Sequence, residues 1–107
     1  AAALCEPRLL RDPAHAARVL AVLDTITASI PQQHDRRSEV FQVLRKGLGY
    51  CWSVAVAALP GVGQPAMERW MTSDDPDVRW IMRQNLTKAR LARVDAAWVQ
   101  TWQQRLR

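Results

Sequence analysis

The sequence predicts an all-α chain: a short α-solenoid in which about five main helices form antiparallel pairs. Apolar residues recur at spacings of three and four along most of the 107 residues, which is the period of one helix face. Two Asp-Pro steps are typical helix starts, and helix-breaking or turn-forming residues interrupt the pattern near 31–35, 60–63, 73–75 and 91–94. Strand signals are almost absent, so helices are expected to form the whole core.

The first helix is expected over residues 14–30. Asp12 is a candidate N-cap, and Pro13 suits the first helical position, where a missing N–H leaves no hydrogen bond unmade. Pro31 ends the helix because proline pushes the preceding residue out of helical geometry. The apolar face of this helix consists of Val19, Val22, Leu23, Ile26 and Ile30.

A second, longer helix is expected over residues 36–59, with Asp35 as its cap. Gly47 and Gly49 within it each cost about 1 kcal/mol relative to alanine, and they indicate a bend or a close helix contact. The Pro-Gly-Val-Gly segment at 60–63 is the clearest break in the chain. One continuous buried stripe is expected along this helix, formed by Val40, Val43, Leu44, Gly47, Leu48 and Cys51.

Three more helices are expected over residues 64–72, 76–90 and about 95–106. Asp75 and Asp95 are the candidate caps of the last two. The apolar stripe of the fourth helix repeats the spacing of the second helix, with Val78, Ile81, Met82, Asn85, Leu86 and Ala89. The inner face of the last helix is predicted to be Val94, Ala97, Trp98, Thr101 and Trp102.

The stretch 64–91 reads QPAMERWM over 64–71, then an acidic turn, then DPxVR over 75–79. These are a first helix with an early proline, a short turn with an Asp-Pro step, and a second helix opening with Val-Arg. In this pattern the stretch resembles a HEAT repeat. The resemblance implies stacked helix pairs with a curved binding surface, and it implies no particular activity. Residues 1–107 are then one helical-repeat domain, expected to be a fragment or the C-terminal part of a longer solenoid.

Length and composition limit the class of protein. A chain of 107 residues has room for one core, and a hydrophobic fraction of 49% excludes intrinsic disorder. The longest apolar run, 54–59, is far too short to span a membrane. Cys5 and Cys51 lie far apart on apolar faces, which favours buried thiols in a reducing compartment. A cytoplasmic protein without a membrane partner is therefore expected.

The net charge of +5 is concentrated in the last third of the chain. On a helix with 100° per residue, Arg79, Arg83 and Arg90 fall within about 40° of one another, so they could bind phosphate or carboxylate groups. Alternatively, Arg79 pairs with Asp75 or another acid of the turn, and the other two arginines are solvated. Trp80, off the centre of the apolar stripe, is either an exposed contact for a protein or a nucleic-acid base, or it packs against a neighbouring helix.

No residue cluster predicts catalysis, a cofactor or a metal. His15 and His34 stand at spacings unrelated to the cysteines, which argues against a zinc site. The Gly-x-Gly at 61–63 follows no strand and lacks the lysine of a phosphate-binding loop. Asn85 on an apolar face needs hydrogen-bond partners, and a neighbouring turn is expected to supply them.

Three functions remain open. The first is a scaffold or adaptor module that binds a protein partner, with Arg79, Trp80, Arg83 and Arg90 as the candidate interaction surface. The second is a nucleic-acid-binding helical repeat, for which the basic C-terminal third is the evidence. The third is an enzyme domain similar to the HEAT-like DNA glycosylases that excise alkylated bases, although no aspartate here can be matched to a catalytic position. The sequence leaves the oligomeric state open.

Overall fold

A computed structural model of the chain describes residues 12–106, and every regular element in that part is a helix. The all-α prediction with five main helices is therefore confirmed. A 3₁₀ turn, Ile30–Gln32, follows the first helix. The helices are α1 (Pro13–Ser29), α2 (Glu39–Ala58), α3 (Pro60–Met71), α4 (Pro76–Leu86) and α5 (Ala89–Arg105).

Side-chain caps fix most helix starts. The carboxylates of Asp12 and Asp75 accept hydrogen bonds from backbone N–H groups in the first turns of α1 and α4, as predicted. The expected cap of α2 is wrong. Ser38 caps this helix through a 3.1 Å hydrogen bond from the N–H of Phe41, and Asp35 instead accepts from a backbone N–H in the preceding turn. The helix consequently begins at Glu39 rather than at residue 36.

The break expected near 60–63 is a single residue, Leu59, and the helix expected over 64–72 already begins at Pro60. Only Leu59, with φ −144° and ψ 70°, separates α3 from α2. Proline occupies the first helical position, where no N–H is needed, and the N–H of Gly63 bonds to the carbonyl of Leu59 at 2.8 Å. Gly63 is buried, and a Cβ there would lie 2.8 Å from the Cα of Val56. The glycine therefore permits close packing of α3 on α2.

The predicted helix over 76–90 is too long, because α4 ends at Leu86 and α5 begins at Ala89. Asp95 then interrupts α5 with non-helical φ −158° and ψ 87°. The Asp95 carboxylate accepts a 3.1 Å hydrogen bond from the N–H of Trp98, so its predicted role as a cap is confirmed. The single break expected over 91–94 is replaced by two breaks, one on each side of that range.

The core lies around α2, which contacts all four other helices. Helix α1 also packs on α3, and α2 packs most extensively on α4. Trp52 of α2 is fully buried and donates its indole N–H to the hydroxyl of Thr27 on α1 at 3.0 Å. The radius of gyration is 13.0 Å, close to the value of about 13 Å for a compact domain of this size.

The predicted inner face of α5 is largely wrong. Val94, Ala97 and Thr101 are exposed, whereas Val99 and Leu106 are buried. The helix restarts after Asp95, as the predicted cap implies, but the side that packs on the core is the one that carries Val99 and Leu106. Trp98 and Trp102, which were also placed on this face, are half-buried.

The faces predicted for α1 and α4 agree with the structure, with three exceptions. Val22 is 40% exposed and Ile26 is half-buried, while the rest of the predicted α1 face is in the core. Ala89 is exposed because it lies in α5 rather than at the end of α4.

Asn85 is fully buried, but its hydrogen-bond partners lie in helices rather than in a neighbouring turn. Its side-chain oxygen accepts from the N–H of Ser53 at 2.8 Å, and its amide donates to the carbonyl of Leu48 at 2.9 Å. A third bond, at 2.7 Å, goes to the carbonyl of Ile81 in its own helix. The expected turn contact is wrong, and the amide instead joins α4 to the backbone of α2.

Candidate functional site

The three arginines of the predicted interaction surface contact different parts of the molecule. Arg79 donates to the carbonyl of Ser73 in the turn before α4, at 3.5 Å. Arg83 donates to the carbonyl of Leu106 after α5, also at 3.5 Å. Arg90 lies beyond the end of α4, so the helical wheel that grouped it with the other two does not apply. Arg79 and Arg83 remain one turn apart on α4, and Arg90 faces α2.

Trp80 is half-buried and packs against α2. The guanidinium carbon of Arg45 lies 3.6 Å from the centroid of the Trp80 ring, which is a close cation–π stack. Gly49 also lies against this indole, and a Cβ there would be 3.3 Å from the ring. The absence of a side chain at Gly49 therefore lets the ring approach the α2 backbone.

Two aspartates and two arginines form an ion-pair network at the start of α4. Arg36 donates to both oxygens of Asp75, at 3.0 and 2.7 Å, and to Asp77 at 2.7 Å. Arg45 donates to the other oxygen of Asp77 at 2.8 Å. Asp75 thus pairs with Arg36, and Arg79 has no ion pair with any described residue. The network joins the segment before α2 to the turn before α4.

The network shifts two ionisation equilibria. Hydrogen bonds from Arg36 hold the pKa of the Asp75 carboxyl below its ordinary value, against the opposing effect of burial. Hydrogen bonds to Asp75 and Asp77 raise the pKa of Arg36. Arg36 also donates to the carbonyls of Ile30 and Gln33. Since every member of the network is engaged inside the fold, we assign it a structural role.

A row of large apolar side chains lies exposed on α2. Val40 is 81% exposed, Val43 66% and Tyr50 39%; we call these three residues the α2 strip. At 100° per residue they lie within about 80° of one another. The expectation that Val40 and Val43 are buried is wrong, because Phe41 fills the core at this end of α2 and its neighbours point elsewhere. Among the described residues, Glu39, Val40 and Val43 line a groove of about 320 Å³.

The Tyr50 end of the α2 strip is rich in hydrogen-bond donors. The guanidinium carbon of Arg90 lies 4.8 Å from the centroid of the Tyr50 ring, and one Arg90 nitrogen donates to the hydroxyl of Ser53 at 3.3 Å. Lys46, one turn before Tyr50, is exposed and pairs with no acid in residues 12–106. The nearest acid in sequence along α2, Glu39, lies at the opposite end of the strip.

An exposed apolar row with hydrogen-bond donors at one end is suited to binding another molecule. Within the described range 12–106, no group of three or more His, Cys, Asp or Glu side chains could hold a metal ion. No helix in the same range is long and apolar enough to cross a membrane. No family model, curated protein or solved structure matches this chain. The functional argument therefore rests on the surface itself.

Sequence reasoning missed the α2 strip, although a signal for it was present. A second apolar face of α2 is defined by spacings of seven and four residues, at Phe41, Leu48 and Trp52. This face excludes Val40 and Val43. That face is the one the structure buries. The predicted stripe through Val40 and Val43 is equally regular, so residue spacing alone does not show which of the two faces is buried.

Proposed function

We propose that this chain is a helical-repeat scaffold or adaptor module that binds a protein partner through the α2 strip. The observation that carries the proposal is the exposure of Val40, Val43 and Tyr50 in one row, about 15 Å long. Single exposed apolar residues are normal on a soluble protein, whereas contiguous rows mark interaction sites.

Residue types at the strip support the same function. Tyrosine and arginine are enriched among the residues that contribute most to protein–protein binding. Tyr50 and Arg90 are stacked at one end of the strip. Arg90 was part of the interaction surface predicted from sequence, together with Arg79, Trp80 and Arg83.

The helix contacts support the finer architecture of a short HEAT-like solenoid. Consecutive helices contact each other within the α1–α2 and α3–α4 pairs, and the pairs meet through α1 on α3 and α2 on α4. Stacked helix pairs of this kind form extended binding surfaces in solenoid proteins. A cytoplasmic location is part of this proposal and rests on the sequence.

Site-specific photo-crosslinking tests the proposal. A photoreactive amino acid replaces Val43 in one variant and Val62, an exposed valine of α3, in a matched control. In a lysate of the source cells, the Val43 variant is expected to form a defined protein adduct that the Val62 control does not form. Excess wild-type chain should abolish the adduct, and excess Val40→Asp chain should not. Equal adducts from both positions, or none from either, would refute the proposal.

A second candidate function, binding to nucleic acid, is favoured by one observation. Arg79 and Arg83 lie one turn apart on α4, and neither forms an ion pair within the described part of the chain. Two neighbouring guanidinium groups can contact successive phosphates. The salt dependence of DNA binding, given with the predictions below, tests this candidate.

A further inference from the structure

We infer that the partner of the α2 strip is an amphipathic helix with acidic side chains at one end, which meet Lys46 and Arg90. The inference rests on the proposed function and adds the chemistry and orientation of the partner. Three features support it: the spacing of the apolar residues, the unused donors at Tyr50, and the position of Glu39.

The apolar spacing fits a helical partner. Val40, Val43, Gly47 and Tyr50 follow one another at intervals of three, four and three residues, which is the seam spacing by which two helices pack side by side. A row about 15 Å long matches three turns of a partner helix with apolar residues at positions i, i+3 or i+4, and i+7.

The donors at the Tyr50 end require an acceptor. A guanidinium group carries five N–H donors, and Arg90 uses one of them, toward Ser53. The ammonium of Lys46 and the hydroxyl of Tyr50 have no hydrogen-bond partner in residues 12–106. These three groups are donors, and an arginine fork next to an ammonium is complementary to a carboxylate. An Asp or Glu side chain of the partner is therefore expected here.

Glu39 sets the direction of the partner. It lies about 10 Å along α2 from Lys46, two turns away at the Val40 end. A partner carboxylate at the Val40 end would meet Glu39 as well as the exposed Arg37, so attraction and repulsion offset each other there, whereas one at the Tyr50 end would meet donors alone. The acidic end of the partner helix therefore lies at Tyr50.

A second copy of this chain does not fit the strip. Lys46 lies next to the midpoint between Val40 and Tyr50, so a two-fold axis through the strip would bring the Lys46 side chains of both copies together. The net charge of +5 on each copy adds to that repulsion. The phosphates of a nucleic acid would accept hydrogen bonds from these donors, but nucleic acid would leave Val40 and Val43 exposed to solvent.

A peptide series tests the inference with the full chain. Three fluorescent synthetic helices of about 14 residues share one apolar seam and carry Glu, Gln or Lys at the positions flanking one end. Fluorescence anisotropy is expected to show the Glu peptide binding about tenfold tighter than the Lys peptide, with the Gln peptide between them. The Lys46→Glu/Arg90→Glu variant should reverse this order, and Arg18→Glu, at an exposed arginine of α1, should preserve it. Val40→Asp should weaken binding of all three peptides.

The outcomes separate the inference from the function on which it rests. Equal affinities for the three peptides, all lost in Val40→Asp, would overturn the acidic partner while leaving a protein-binding strip. No peptide binding together with a Val43 adduct would overturn the helical partner. A Val43 adduct to a second copy of this chain would also overturn the inference. A further outcome is that a DNA oligonucleotide displaces the Glu peptide and binds the wild type and Val40→Asp with equal affinity. That result would mean that the donors at Tyr50 bind phosphate, and it would overturn the inference. No peptide binding and no adduct would refute both proposals.

Discussion

Replacing Asp75 by asparagine and by alanine separates the two tasks of this side chain. Its carboxylate caps α4 through the N–H groups of Asp77 and Val78, at 2.9 and 3.2 Å, and it pairs with Arg36 at 2.7 Å. Asparagine caps a helix about as well as aspartate does but carries no charge. Asp75→Asn therefore removes the ion pair alone, and Asp75→Ala removes the ion pair and the cap.

The expected magnitudes follow from the geometry. The Asp75 side chain is 11% exposed and that of Arg36 is 28% exposed, so solvent screens the pair only in part. Hydrogen bonds to charged groups contribute about 1.5–3 kcal/mol, and the contact that Arg36 keeps with Asp77 lowers the net loss to about 1 kcal/mol. The cap adds about 1 kcal/mol. Asp75→Asn should lower the free energy of unfolding by about 1 kcal/mol and Asp75→Ala by about 2 kcal/mol.

Urea unfolding at pH 7, followed by circular dichroism and tryptophan fluorescence, measures both differences. The pKa of Asp75 is lowered in the folded state, so its stabilising effect is present above the unfolded value of 3.8 and is lost as the pH falls below it. The stability difference between wild type and Asp75→Asn should therefore shrink when the pH falls below that value. Asp74→Asn is the matched control, because Asp74 is exposed and its side chain forms no hydrogen bond with any of residues 12–106.

Two results would refute this reasoning. An Asp75→Asn variant as stable as wild type at pH 7 would mean that the pair with Arg36 contributes nothing. Equal destabilisation by asparagine and alanine would mean that the cap contributes nothing.

Four further variants are expected to give measurable effects. Gly63→Ala should destabilise the protein by about 1–3 kcal/mol because its Cβ would meet the α2 backbone. Gly61→Ala, where a Cβ would have nothing within 4 Å, should stabilise the protein by about 0.5–1 kcal/mol. Equal shifts of the melting temperature in the two variants would contradict this contrast. Asn85→Leu should lower the free energy of urea unfolding by about 2–4 kcal/mol because it removes two buried hydrogen bonds between α4 and the backbone of α2, and a neutral result would contradict the assigned bonds. If nucleic acid binds at Arg79 and Arg83, wild-type affinity for duplex DNA should fall with a log–log salt slope of about −2, and the double glutamate variant should not bind. Absence of binding at low salt would refute that candidate.

The features that could be predicted from the sequence are those set by local chemistry. The period of apolar residues gave five helices, because one helix face must be apolar to pack. The caps Asp12, Asp75 and Asp95 were identified because each side chain bonds to a backbone N–H two or three residues away. Contacts between residues this close in sequence can be predicted from the order of the residues.

Contacts between residues far apart in sequence cannot be predicted in this way. Arg36 pairs with residues 39 and 41 positions away, and it follows Asp35, which was taken for a cap. The end of α4 was missed because Thr87 and Lys88 are not helix breakers. The chain leaves the helix there, and Leu91 is then buried. The candidate site was missed for the same reason, since tertiary packing decided which side of α2 faces solvent.

Helix α3 has a consequence for the order in which the molecule folds. Its twelve residues include two prolines and two glycines, so the isolated segment has little tendency to be helical. It is held from both sides: the indole of Trp70 donates to Asp24 on α1 at 2.8 Å, and the carboxylate of Glu68 accepts from the indole of Trp98 on α5 at 2.9 Å. Such a helix forms only once its neighbours are in place. We expect the transition state for folding to contain α2 and α4, and α3 to become ordered only after it. Substitutions in α3 should therefore accelerate unfolding and leave the folding rate unchanged.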